Sequence, residues 1–178
     1  LHVSTRERAS IVTEFHSVIS DVLGKPSCLI DIGCGYHPMT FPFKDTITRY
    51  VALEQNADAC ETLEVFAPLA APSELVPVCG DLVNAEVSEF LPPGVDRYDA
   101  AFMFKLIPVV ARAEPDALQA LANVPAETLV ITASKEAMTR NQDVSRREDR
   151  SLRSFAELAG RSEMSRFDVG NEFGYFLV

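Results

Sequence analysis

The sequence predicts an α/β fold: a doubly wound, mostly parallel sheet whose last two strands form an antiparallel hairpin. Two observations carry this. Short apolar runs alternate with helix-period segments over residues 4–160, the pattern of parallel crossovers. Only Gly170-Asn171 separates the final two runs, a turn too tight for a parallel pair. A length of 178 residues, with 47% apolar and 24% charged side chains, suits one globular domain spanning 1–178.

The elements follow in order. A helix is expected over 4–23, opened by a capping box of Ser4 and Glu7. Ile11, Phe15, Val18, Ile19 and Val22 recur on one face, and Gly24 and Pro26 end it. Residues 28–32 form a continuous apolar run around Asp31, a buried strand that stops at Gly33. Residues 50–54 give a second strand, followed by a helix over 56–66 that Pro68 closes. A third strand over 75–79 runs into Gly80-Asp81, and a short helix over 85–91 stops at Pro92-Pro93-Gly94. The fourth strand, 98–104, is strongly apolar after Asp99. A helix over 114–123, a strand over 128–133, a helix over 146–160 and the hairpin strands 164–169 and 172–178 complete seven strands.

Charge and cysteine usage narrow the setting. The net charge of −10 argues against a surface that is basic throughout. Its distribution is uneven: residues 41–130 carry 14 acids against 5 bases, whereas 134–166 carry 8 bases against 6 acids. That late segment, with Arg140, Arg146, Arg147 and Arg150, is the candidate for a local nucleic-acid footprint. Cys28, Cys34, Cys60 and Cys79 form no metal-ligand spacing with His2, His16 or His37, so no metal is expected. They read as free core thiols of a reducing compartment. No apolar run is long enough to span a bilayer and no leader is visible, so a cytoplasmic location with no membrane partner is expected.

The strongest chemical signal is Asp31-Ile32-Gly33-Cys34-Gly35, a strand delivering two glycines to the sheet edge where ligands of such folds bind. Glu54 ends the next strand, 19 residues after Gly35, and a carboxylate there can accept both ribose hydroxyls. Asp81 and Leu82 end the third strand, suited to an adenine amino group and ring. Three adjacent strand ends thus describe an adenosine site. A dinucleotide loop would want a third glycine and an immediate helix, but Tyr36-His37-Pro38 follows. The preference is therefore S-adenosyl-L-methionine over a nicotinamide dinucleotide. Its carboxylate needs a cation, for which Arg6 and Arg8 are the candidates; cations are otherwise disfavoured at a helix N-terminus, and either this carboxylate or an RNA phosphate would reverse that. Phe104 and Lys105 end the fourth strand, where the methyl would be presented, with Lys105 as the positioning residue.

These residues resemble a known family. His2-Val3-Ser4-Thr5-Arg6-Glu7-Arg8 is similar to the H-x-S-T-R-E-R segment of the 16S ribosomal RNA guanine-N7 methyltransferases of aminoglycoside resistance. Ile30 to Gly35 with Pro38 looks like that family's glycine loop, and Phe104-Lys105-Leu106-Ile107-Pro108 like its F-K-L-L-P segment. Gly170-Asn171-Glu172 with Tyr175-Phe176-Leu177 resembles its closing strand. The resemblance implies a Rossmann-like class I methyltransferase fold, S-adenosylmethionine as donor, and methylation of a guanine of 16S rRNA in the small ribosomal subunit. It also implies that one of Arg6 and Arg8 holds the donor's carboxylate, that Gly33 and Gly35 line its methionine portion, and that Glu54 and Asp81 take ribose and adenine. The sequence departs from the family in three places. The helical RNA-binding domain that precedes this segment there is missing here; Tyr36-His37 replaces a Leu-Asn pair; and residues 133–140 replace a Phe-Pro-x-Arg-Ser stretch. Methyl transfer to another RNA or a small molecule, and a non-catalytic donor-binding domain, stay open as alternatives.

Overall fold

The structure is a computed structural model that describes residues 8–81, 85–136 and 144–178. Seven strands form one sheet: β1 Cys28–Ile32, β2 Arg49–Glu54, β3 Glu74–Cys79, β4 Tyr98–Phe104, β5 Ala126–Ser134, β6 Met164–Val169 and β7 Glu172–Leu177. Their order is β3-β2-β1-β4-β5-β7-β6. The first five strands pair in parallel, and β7 pairs antiparallel with both β5 and β6, as the Gly170-Asn171 turn requires. The order reverses between β1 and β4, and the crevice outside a reversal of this kind is where open α/β sheets bind ligands.

Both faces of the central strands are covered, so β1 is buried at every position and its residues alternate between two apolar layers. Ile30, Ile32, Val51, Leu53 and Met103 face one layer, packed with Leu152 and Phe155 of a helix over Ser145–Leu158. Leu29, Tyr50, Ala52 and Phe102 face the other, packed with Phe15 and Ile19 of α1, Val12–Leu23. The alternation places Asp31 on the α1 side. Among the described residues no helix is long and apolar enough to cross a membrane.

Several boundaries differ from expectation. The opening helix is interrupted: Arg8 is helical, residues 9–11 turn, and a regular helix then runs Val12–Leu23. The capping residues Ser4 and Glu7 lie outside the described residues. The stretch expected as a short helix over 85–91 is one 3-10 turn, Val87–Phe90. The segment after β4 holds a helix, Ile107–Ala113, that the sequence pattern did not suggest; Pro108 sits in its first turn, where a missing N–H costs nothing. The helix expected over 114–123 divides into Pro115–Ala117 and Leu118–Ala122. Three cysteines are buried, but Cys79 is exposed.

Candidate functional site

The chain leaves β1 through Gly33 and Gly35, both in the left-handed region at φ 64° and 53°. Glycine adopts that backbone without steric cost. Gly33 is also confined, since a Cβ there would lie 3.1 Å from Leu106 Cδ1. The amides of Gly33 and Cys34 both donate to the Leu53 carbonyl, at 2.9 and 3.2 Å, which ties the loop to the end of β2. Glu54 completes the tie. Its Oε2 accepts the Gly35 N–H at 2.8 Å, and its Oε1 accepts those of Gln55 and Asn56 at 3.0 and 2.9 Å. A carboxylate has about four lone-pair sites, so room remains for one further donor. Sequence reasoning assigned Glu54 to a ligand and missed this second task of fixing the loop.

The tips of three strands are laced together in this way. The Gly80 N–H donates to the Glu54 carbonyl at 3.0 Å, and Asp81 follows, exposed, beyond β3. Leu82 lies outside the described residues. Past Gly35 the loop forms a single 3-10 turn, His37–Thr40. Diphosphate loops instead present the N-terminus of a long helix.

Asp31 anchors a buried chain of polar side chains under the loop. Its Oδ2 accepts from His37 Nδ1 at 2.7 Å and from the Tyr50 hydroxyl at 2.8 Å. Its Oδ1 is buried with no hydrogen-bond partner among the described residues. His37 Nε2 lies 3.1 Å from His16 Nε2, so the chain reaches α1. Burial above all, then the neighbouring His37 and Arg8, push the His16 pKa down to about 3. Burial and then the Asp31 carboxylate hold the Tyr50 hydroxyl protonated far above its ordinary range. Nothing local in the sequence signals this network, because its members come from four separate elements.

A second polar cluster is built on Glu172 at the start of β7, which is 2% exposed. It accepts from Arg8 through two bonds and from the Thr132 hydroxyl, and Lys105 Nζ lies 3.6 Å from its Oε2. Lys105 itself has a left-handed backbone, φ 59°, rare outside glycine. Its N–H is held by both the carbonyl and the Oγ1 of Thr132, at 3.1 and 3.0 Å. The Arg8 guanidinium is buried against Glu172 and lies over the rings of Phe15 and Phe104 at 4.3 and 4.9 Å. The Phe104 ring stacks on Phe102 and meets the His37 ring at 4.8 Å, on the α1 side of the sheet. Arg6 lies outside the described residues.

Comparison with known proteins decides the family. The model of the ribosomal RNA methyltransferase family FmrO matches residues 1–171. The chain belongs to that family. It is 28% identical over 185 residues to the 16S rRNA (guanine(1405)-N(7))-methyltransferase of Proteus mirabilis, covering 100% of this chain and 62% of that protein. It is 26% identical over 114 residues to the protein of the same name from Frankia casuarinae, covering 63% of this chain and 38% of that one. The chain therefore spans under two thirds of the length of these curated relatives. Two solved structures share the fold. The 16S rRNA methylase ArmA superposes with a TM-score of 0.72 at 18% identity, over 99% of this chain and 86% of that one. The 16S rRNA methyltransferase RmtF, solved with S-adenosyl-L-homocysteine, gives 0.74 at 24% identity, over 99% and 65%.

In this FmrO-family chain a cleft of about 290 Å³ opens beside the tips of β4 and β5, lined among others by Lys105, Arg112, Ser134, Arg147 and Glu148. Glu148 is 4% exposed and accepts from Arg112 and Arg147. Other cations of the late basic segment are likewise paired: Arg153 with Asp149, Arg166 with Asp149 and Asp168, and Lys135 with Asp168. Much of the positive charge counted over 134–166 is thus met by carboxylates on the same surface. Arg146 and Arg150 are exposed, and Arg140 lies outside the described residues.

Proposed function

We propose that this chain is the donor-binding and methyl-transferring part of an enzyme that methylates N7 of a guanine in 16S ribosomal RNA, acting on the small ribosomal subunit in the cytoplasm, with aminoglycoside resistance as its consequence. The observation that carries the reading is the match to a ribosomal RNA methyltransferase family over residues 1–171.

The residues present fit S-adenosylmethionine. The loop after β1 offers no long helix to a diphosphate, which favours a donor without one. Glu54 keeps acceptor capacity for a ribose hydroxyl, and Asp81 suits the adenine amino group. The unpartnered Oδ1 of Asp31, buried where the loop begins, suits the ammonium of the methionine portion beside Gly33 and Gly35. With Arg8 engaged by Glu172, the donor's carboxylate falls to Arg6.

Bound there, S-adenosylmethionine supplies an electrophilic sulfonium methyl that the lone pair of N7 can accept without losing a proton. This chain then has to bind and align, and needs no general base; orientation of that kind contributes up to about 7–11 kcal/mol to such reactions. Lys105, held in a fixed backbone by Thr132, is the residue that positions the base. Arg112 and Arg147 on the cleft wall, with Arg146 and Arg150 on the exposed face of the same helix as Arg147, meet RNA phosphates.

Transfer of labelled methyl tests the reading. Assembled small subunits, naked 16S rRNA and a small-molecule extract are offered in parallel, and N7-methylguanosine is scored in the RNA. Label in small subunits is the expected result, lowered in Lys105→Ala. Label only in the small-molecule fraction, or in none, overturns it.

A further inference from the structure

We propose that His37 is a positioning residue for the methyl donor: its Nδ1–H holds one oxygen of Asp31 and so leaves the other oxygen for the donor's ammonium. The inference rests on the donor-binding reading above and adds a residue to it.

The argument is one of donors and acceptors. An ionised carboxylate only accepts, so both groups on Asp31 Oδ2 must donate. These are the Tyr50 hydroxyl at 2.8 Å and His37 Nδ1 at 2.7 Å, and the 3.2 Å between them is an approach of two donors to one oxygen. The His37 ring therefore carries its proton on Nδ1. Its Nε2 faces His16 Nε2 at 3.1 Å. Whichever of the two rings donates across that contact, the Nδ1–H of His37 remains on Asp31.

The ring has little freedom to turn. It is 3% exposed, with Phe104, Phe41 and Phe102 against it at centroid distances of 4.8, 5.8 and 6.2 Å. Its backbone is fixed too, the N–H donating to the Cys34 carbonyl at 3.0 Å and the carbonyl accepting from the Thr40 hydroxyl at 2.9 Å. The ionisable groups around it are Asp31 of β1, Cys34 of the loop, Tyr50 of β2 and His16 of α1, with Arg8 acting on His16. Two donors on Oδ2 pin the carboxylate plane, and the orphaned Oδ1 is what remains for a cationic group. A carboxylate free to rotate would present neither oxygen reliably.

Calorimetry with S-adenosylhomocysteine, which keeps the same ammonium, tests this on the unaltered chain and on His37→Leu and His37→Asn. Leucine removes the donor, and asparagine restores an N–H near the position of Nδ1. His37→Leu is expected to weaken binding about 10-fold or more, the loss of one charge-assisted hydrogen bond, and His37→Asn to recover most of it. In turnover, His37→Leu is expected to raise KM for S-adenosylmethionine and leave kcat near its starting value. Nitrogen-15 NMR of the unaltered chain is expected to show His37 protonated at Nδ1, a measurement independent of whether a variant folds. Equal loss in both variants, an unchanged affinity in His37→Leu, or a bare Nδ1 overturns the role of His37 and leaves the donor site standing. Failure of the unaltered chain to bind the ligand overturns the donor-binding reading, and this role with it.

Discussion

Arg8 and Glu172, 164 residues apart in the chain, close a two-pronged ion pair, Nη2 to Oε1 at 2.8 Å and Nε to Oε2 at 3.2 Å, with side chains 5% and 2% exposed. The pair fastens the segment before α1 to the start of β7, and Lys105 and Thr132 bring β4 and β5 to the same carboxylate. Removing one charge leaves the other buried and uncompensated, which costs more than replacing both. Glu172→Gln is expected to destabilise the fold by about 3–5 kcal/mol. The double variant Arg8→Met, Glu172→Leu is expected to recover most of that. Urea denaturation midpoints of the three proteins check it, and a Glu172→Gln midpoint equal to the starting one would count against the pair.

Glu54→Gln tests the loop tie. A glutamine has one accepting oxygen, and its NH₂ would face a backbone N–H that the carboxylate now satisfies. Either Gly35 or the Gln55-Asn56 pair then loses its acceptor. Affinity for S-adenosylhomocysteine is expected to fall by about 10-fold to 100-fold, the range of one hydrogen bond to a charged group. Calorimetry on the folded variant measures it.

Gly174→Ala addresses the closing hairpin. A Cβ at Gly174 would run into the Ile131 carbonyl oxygen and stand 2.8 Å from both Phe167 Cζ and Thr132 Cγ2. The first of these is backbone in the sheet and cannot step aside. Destabilisation of about 3 kcal/mol or more is expected, at or beyond the upper end of ordinary overpacking. A variant with an unchanged melting temperature would contradict the packing at β5 and β7.

His16 gives stability a dependence on pH. Its pKa is about 3 in the fold against an ordinary 6.5. Between those values the unfolded chain takes up a proton that the folded chain refuses. Stability is therefore expected to fall as pH drops from about 6.5 towards 3, by at most about 1.4 kcal/mol per pH unit from this group. The difference in slope between the unaltered chain and His16→Gln, followed by urea denaturation at a series of pH values, isolates the contribution.

Arg146 and Arg150, if they meet RNA phosphates, should govern salt dependence. Changing both to alanine is expected to weaken binding to small subunits irrespective of sequence, and to reduce the slope of log affinity against log salt by about one for each. Filter binding over a salt series reads this directly. A slope that does not change would remove them from the interface.

Much of the architecture is legible in residue patterns. The apolar run around Asp31, the hairpin turn at Gly170-Asn171 and the strand over 98–104 all appear where local patterning puts them, since burial on both faces of a sheet writes itself into consecutive side chains. The glycine loop was legible for the same kind of reason, because a left-handed backbone selects glycine at that position. The helix Ile107–Ala113 was not, being only 7 residues long with too few turns to show a period. Nor did the count of cations over 134–166 reveal that Arg147, Arg153 and Arg166 would each find a carboxylate.

By itself the sequence determined the succession of the seven strands, the sharp exits from β1 and β3, and the acids that stand at the sheet edge. Those features are local: they depend on side chains within a few positions of one another. Only the tertiary structure decided what each charged group does. It turned Arg8 inward to Glu172, gave Glu54 to three backbone amides, and linked Tyr50, Asp31, His37 and His16 into one buried chain. The physical reason is that hydrogen bonds and ion pairs act over about 3 Å in space with no regard for separation along the chain. A partner 164 residues away leaves no trace in local composition.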